Sequence, residues 1–113
     1  MAALRVGIAG KRGAAFAAAL RALPGVELTA LCDVHEPTLN AEADRLGVEK
    51  RFTSFFALLD AVDAVVVATP MHLHASQAIA ALDAGKHTLS EVTACVSLEE
   101  CWRLLDAAQS ASQ

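Results

Sequence analysis

Apolar residues in this chain gather into short continuous runs, and between the runs they recur at helical spacing. Leu4 to Ala9 (LRVGIA) is one such run ending against glycine, and it predicts a buried strand. Gly13 to Leu23 follows as a helix with Phe16, Leu20 and Leu23 on one side. Pro24-Gly25 ends that helix, and Val26 to Cys32 (VELTALC) predicts a second strand. Pro37 suits the first turn of a second helix, with Leu39, Ala43 and Leu46 as its stripe and Gly47 as its C-terminal cap. Arg51 to Thr53 predicts a short third strand, and Ser54 is placed to cap a short helix carrying Phe55, Leu58 and Leu59.

Asp63 to Thr69 (DAVVVAT) is apolar without alternation, the pattern of a strand covered on both faces. His74 to Ala84 reads as a helix with Ala75, Ile79 and Leu82 turned inward and Gly85 closing it. Lys86 to Glu91 is the fifth strand. Ser97-x-x-Glu100 is a capping box opening a last helix, whose expected buried stripe is Leu98, Cys101, Trp102 and Leu105. Strand and helix alternating throughout imply right-handed crossovers, so the expected class is α/β, a doubly wound parallel sheet of about five strands. A complete sheet of this kind has a sixth strand after the last helix, and Ala107 to Gln113 (AAQSASQ) cannot supply it. Residues 1–113 are then one domain, with no second domain expected beside it.

Composition narrows the function classes. At 113 residues, 55% hydrophobic and 19% charged, the chain has the make-up of a packed domain rather than a disordered segment. A formal charge of −4 leaves no basic footprint for nucleic acid. No apolar run nears the length of a membrane span, and the N-terminus lacks the h-region of a signal peptide. A cytoplasmic protein is expected. Cys32, Cys95 and Cys101 agree with a reducing compartment, being odd in number, apolar in surroundings and without a CxxC pair.

In a doubly wound sheet, ligands bind at the carboxyl ends of the strands near the reversal of strand order, and four segments fall there. The first is the turn from Gly7 through Gly10, Lys11, Arg12 and Gly13, where glycines admit a pyrophosphate to the backbone at the start of a helix. Counted from Gly10, G-x-G-x-x-G spacing is absent, since Arg12 and Ala15 stand where glycines belong. A phosphate-cradling P-loop is also excluded, because Arg5 occupies its first glycine position. The second segment is Asp33, at the tip of the second strand, where a carboxylate can accept both ribose hydroxyls of an adenosine and repel a 2′-phosphate. The alternative is that Asp33 merely caps the next turn. The third is Thr69-Pro70-Met71-His72-Leu73-His74, in which proline presents a flat ring and His74 is placed to cap a helix. The His-x-His pair has no third ligand at metal spacing, so His35, His72, His74 and His87 are read as loop and cap residues and no metal site is expected. The fourth is Ser90-Glu91-Val92-Thr93, with Glu91 either a ligand contact or a solvated loop acid.

These segments, in this order, resemble the N-terminal domain of the Gfo/Idh/MocA oxidoreductase family. The most specific stretches are ALCDV (Ala30 to Val34), VVVATPMHLHASQAIAALDAGKH (Val65 to His87) and SLEECWRLL (Ser97 to Leu105). The resemblance implies a Rossmann domain that binds NAD, with NADP the alternative. It implies that Gly10, Lys11, Arg12 and Gly13 hold the pyrophosphate and Asp33 the adenosine ribose. Thr69, Pro70, Met71 and His74 would then line the nicotinamide side, with Glu91 near its ribose. Full-length members continue into a substrate domain acting on sugars or polyols, and most carry Glu-Lys-Pro with a catalytic lysine. Here Val92 stands at the lysine position and Thr93 at the proline, so no catalytic residue is assigned. A base to take a hydroxyl proton would have to come from elsewhere. The Ser-Glu-Val form with Cys101-Trp102 downstream resembles a branch that includes nicotinamide-dependent glycosidases, in which the hydride returns to a transient keto sugar. Three readings stay open: the cofactor domain of a sugar or polyol oxidoreductase, with the glycosidase as its variant, a module that senses NAD without chemistry, and a scaffold that binds nothing. The partners expected are the dinucleotide and either a missing substrate domain or a second copy of the chain.

Overall fold

In a computed structural model, which describes residues 2–111, the apolar runs form β1 (Leu4–Ala9), β2 (Val26–Cys32), β3 (Lys50–Phe52), β4 (Ala64–Val67) and β5 (His87–Ser90). All neighbours are parallel and the order across the sheet is β3-β2-β1-β4-β5. Strand order therefore reverses between β1 and β4, as in the first five strands of the dinucleotide-binding arrangement. The crossovers are a 3-10 segment (Lys11–Phe16) running into α1 (Ala17–Ala22), then α2 (Glu36–Leu46), α3 (Phe55–Asp60) and α4 (His74–Asp83). The last helix, α5 (Leu98–Ser110), follows β5 and lies against α4.

Alternation of side chains along the strands splits the core into two layers. Val6, Ile8, Leu31 and Val66 pack with Ala17, Leu39 and Ala43 on one face. Ala9, Ala30, Val65 and Val67 pack with Phe55, Leu58, Leu59 and Ala81 on the other. Leu28 and Ala30 share parity yet face opposite layers, because the β1–β2 register slips by one residue at Thr29. The bulge turns Leu31 and Cys32 into the layers they need to fill.

Helix boundaries follow local chemistry. His35 Nδ1 accepts the Thr38 N–H at 3.3 Å to cap α2, Pro37 occupies the first turn, and Gly47 closes the helix at φ 69°. Ser54 Oγ accepts the Ala57 N–H at 3.4 Å to start α3. At α5, Ser97 Oγ accepts the Glu100 N–H at 3.1 Å and Glu100 Oε1 accepts the Val96 N–H at 2.9 Å, the expected capping box displaced by one residue on its return bond.

Four expectations need correction. Helical structure after β1 begins at Lys11 as a 3-10 segment rather than at Gly13, and Leu23 is exposed beyond the helix end. In α4 the buried positions are His74, Ala75, Ala78 and Ala81, with Ile79 and Leu82 only half-buried; alanines let the helix sit close to the sheet. The α5 stripe is not buried, since no residue of that helix is, and Leu98, Trp102 and Leu105 are 74%, 60% and 44% exposed. The extensive packing of α5 is against α4, and its stripe gains little cover from the sheet. Finally, the Cys95 and Cys101 sulfurs are paired across the α5 N-terminus, with Cα atoms 5.6 Å apart, because the loop before the helix folds back over its first turn. Only Cys32 is a free thiol among the described residues.

Candidate functional site

Four connections leave the carboxyl edge of the sheet together, and each is pinned where it leaves by a backbone bond to its neighbour. The Gly10 N–H donates to Cys32 O at 2.9 Å, Asp33 N–H to Phe52 O at 3.1 Å, Ala68 N–H to Ala9 O at 2.8 Å, and Glu91 N–H to Val67 O at 2.8 Å. These bonds extend the sheet ladder one residue past each strand, so the residues that follow start from fixed positions. Between them lies an open cleft of about 480 Å³ crossing the reversal between β1 and β4. That volume falls within the roughly 300–1,000 Å³ usual for small-molecule sites.

The glycine turn is defined by steric necessity. Gly10 has φ 98°, and a Cβ there would lie 2.3 Å from the Ala68 carbonyl oxygen. A Cβ on Gly13 would lie 2.2 Å from Ile8 Cγ2. Gly10 thus permits the turn to press against β4, and Gly13 permits the helical segment to press against β1. The two glycine roles of a dinucleotide turn, close backbone approach and close helix–strand packing, are met at Gly10 and Gly13, although the sequence spacing counted from Gly10 places glycines elsewhere. The first turn of the segment leaves the Lys11 and Arg12 N–H groups without intrahelical partners, and both residues line the cleft.

On the β2 side, Asp33 Oδ1 accepts the His35 N–H at 2.9 Å, which fixes the carboxylate. The turn-cap reading of Asp33 is therefore met, while its other oxygen has no protein partner among the described residues. Beneath it, burial and the Asp33 charge push the Cys32 thiol up from its ordinary 9.0 to about 11, so it is an inert wall of the site.

On the β4 and β5 side, Thr69 Oγ1 donates to Gln77 Oε1 at 2.5 Å, while Pro70 and the half-exposed Met71 form the wall. His74 does not cap α4; that position falls to Leu73. Instead its ring is 2% exposed, with Nε2 2.6 Å from Thr69 O and Nδ1 2.8 Å from Thr93 O. Each nitrogen faces a backbone carbonyl oxygen, so His74 lies between the loop after β4 and the loop after β5. Arg12 reaches over the cleft to Glu91, with Nη2 and Oε1 3.2 Å apart. Val92 stands at the rim, 85% exposed.

The structure therefore brings Gly10, Lys11, Arg12, Asp33, Thr69, Pro70, Met71, His74 and Glu91 to one cleft, and places Gly13 buried behind it. Sequence reasoning missed Phe55, Thr38 and Gln77, which also line it. Phe55 had been counted only as core; its place after the Ser54 cap puts it at the carboxyl edge, a signal the sequence does carry. No cluster of three metal-ligating side chains occurs among the described residues.

The donor set suits a dinucleotide: a carboxylate at one end, backbone N–H groups and two cations in the middle, and a hydroxyl, a flat apolar wall and a second carboxylate at the other. The sequence model of the oxidoreductase family with an NAD-binding Rossmann fold, Gfo/Idh/MocA, matches residues 3–113. An α-N-acetylgalactosaminidase of Shewanella oneidensis is 34% identical over 122 residues, covering 96% of this chain and 27% of the relative. Among solved structures, the WlbA dehydrogenase from Chromobacterium violaceum, in complex with NADH and UDP-GlcNAcA, superposes with a TM-score of 0.90 at 27% identity, over 100% of this chain and 34% of that one. The scyllo-inositol dehydrogenase from Lactobacillus casei, with bound NAD(H) and scyllo-inositol, superposes with a TM-score of 0.84 at 28% identity, over 95% of this chain and 33% of that one. The chain spans about a quarter of the length of the curated relatives it matches.

Proposed function

The chain belongs to the Gfo/Idh/MocA oxidoreductase family as its NAD-binding Rossmann domain, and on that premise we propose that the cleft seats NAD with its adenosine ribose on Asp33 and its nicotinamide between Thr69, Pro70, Met71 and Glu91. The observation that carries this reading is the placing of two carboxylates, Asp33 and Glu91, at opposite ends of one cleft with Gly10 to Arg12 between them. Each carboxylate accepts ribose hydroxyls, and the turn's N–H groups with Lys11 meet the phosphates. Asp33 selects against NADP, since its charge faces the 2′ position. Arg12 extends to the β5 side, away from Asp33, and so does not offset that repulsion.

When bound, NAD supplies hydride transfer to and from a carbon centre. This chain's residues bind and orient it; on the cleft's nicotinamide end the side chain placed as a base is Glu91, and Val92 has no group that can accept a proton. The proposed substrates are sugars or polyols, supported by the sugar-nucleotide and inositol dehydrogenases that share the fold, with contacts and base from a substrate domain. A glycosidase that returns its hydride is the second reading, supported by the α-N-acetylgalactosaminidase relative and the Ser90-Glu91-Val92 form. A domain that reports NAD without chemistry is the third, supported by Val92. We place the protein in the cytoplasm with the dinucleotide pool, supported by the lack of any helix among the described residues long and apolar enough to cross a membrane; reducing conditions there would open the Cys95–Cys101 pair. Calorimetric titration with both cofactors tests the assignment. NAD is expected to bind more tightly than NADP, and Asp33→Ser to erase the difference; an unchanged preference in Asp33→Ser overturns the placing of the adenosine.

A further inference from the structure

The ion pair across the cleft joins two groups that a dinucleotide needs separately. Arg12 Nη2 lies 3.2 Å from Glu91 Oε1, the arginine side chain 80% exposed and the glutamate 20%. Arg12 belongs to the turn after β1 and Glu91 follows β5, so the contact passes over the end of β4, which lies between those strands. The arginine side chain is solvated, whereas the glutamate starts from a backbone fixed by the bond from Glu91 N–H to Val67 O and its side chain is largely covered with Arg12 in place. We propose that this pair makes the cleft selective for a whole dinucleotide over its adenosine diphosphate half, an inference that rests on the proposed seating of NAD.

The reasoning is one of exchange. A free mononucleotide with two phosphates draws Arg12 toward its own negative charge, and Glu91 then stands in the cleft beneath the ligand without a cation. Losing one partner of a covered ion pair costs more than the pair itself contributes. A complete dinucleotide offers both replacements at once: phosphate oxygens for Arg12, and ribose hydroxyls that donate to Glu91. Both groups of the opened pair are then satisfied, so the penalty falls on the fragment alone. Specificity of this kind comes from what the wrong ligand leaves unpaired. The pair does not compete with the adenosine end, because Asp33 lies on the far side of β1.

Calorimetry with ADP and NAD on the full chain tests the inference, using Glu91→Gln, Arg12→Gln and the double variant. Glu91→Gln is expected to tighten ADP binding by about three- to tenfold while NAD gains less, so that preference for NAD over ADP narrows. Arg12→Gln is expected to weaken ADP more in the Glu91→Gln background than in the parent chain, a coupling read from the double-mutant cycle. Both side chains sit at the surface of the cleft, and thermal melts of the variants verify that the fold persists. Unchanged ADP affinity in Glu91→Gln, or equal shifts for ADP and NAD, overturns the inference while leaving NAD binding standing. Failure of the parent chain to bind either ligand overturns the proposed function itself.

Discussion

Gly10 and Gly13 are three residues apart and carry different constraints. At Gly10 a side chain meets both an unfavourable φ of 98° and the Ala68 carbonyl, which is backbone and cannot swing aside. At Gly13 the obstacle is Ile8 Cγ2, a side-chain methyl rather than backbone, although it sits on a stiff, buried β-branched residue. Gly13→Ala is therefore expected to cost about 1–3 kcal/mol, the usual range for overpacking, and Gly10→Ala more. Urea unfolding with an unchanged m-value checks both, and an equal cost would show that the Gly10 turn relaxes. Cys32 makes a prediction with a definite sign. Its thiol is raised from 9.0 to about 11 in the folded chain, mainly by burial and then by Asp33. The unfolded chain ionises first, so this contribution to stability is fully present below pH 9.0 and is lost as pH rises toward about 11. The parent chain is expected to lose stability over that interval faster than Cys32→Ala; parallel curves would show that the thiol is not shielded.

Helices with similar caps contribute differently because they rest on different supports. Ser54 caps α3, whose Phe55, Leu58 and Leu59 are buried in the core, so fraying there opens the lower layer of the sheet. Ser97 caps α5, which buries no residue and packs mainly on α4. Ser54→Ala is expected to lower global stability by about 1 kcal/mol. Ser97→Ala is expected to leave the cooperative melt nearly in place while amide exchange in α5 accelerates, since the helix opens without the core. Equal losses of global stability in the two variants would show that α5 is part of the cooperative unit. The same difference explains the uneven legibility of the elements. β1 and β2 are legible to the residue because both are central strands with apolar runs bounded by glycine. α5 has the right cap and periodicity, yet periodicity says which side is apolar and not whether anything lies against it.

Across the whole molecule, Leu23, Val34, Phe56 and Met71 are exposed singly, whereas Leu89, Val96, Leu98, Trp102 and Leu105 are all exposed on β5, α5 and the loop between them. β5 is an edge strand with one row of backbone groups unpaired in the sheet. An apolar stripe beside a free edge favours association, and the expected outcome is a sedimentation coefficient that rises with concentration and falls back in Trp102→Ala. A value independent of concentration in both chains would show that Lys86, His87 and solvent suffice to keep the edge apart. The opposite end of the sheet carries no such stripe: β3 is short and is tied to α2 by Arg51, whose Nη2 lies 2.7 Å from Asp44 Oδ1. The cleft itself is equally a property of the whole sheet, since its walls come from the ends of β1, β2, β4 and β5, far apart in sequence.

The sequence by itself determined the alternation of elements, the parallel sheet, and most of the polar residues that reach the cleft, because each depends on local periodicity or on sitting just past a strand. Asp33, Thr69 and Glu91 were legible for that reason alone. Tertiary structure decided what those residues do to one another. That Arg12 spends its charge on Glu91 follows from β4 lying between β1 and β5, and strand order is a non-local choice. That His74 is buried between two loops depends on Thr93, nineteen positions away, arriving beside Thr69. Likewise Cys95 meets Cys101 only because the loop turns back over a helix end, and the α5 stripe is open because the sheet gives it little cover. Periodicity is written along one chain direction, whereas pairing across strands is set by the sheet, which is why the site's membership could be read and its contacts could not.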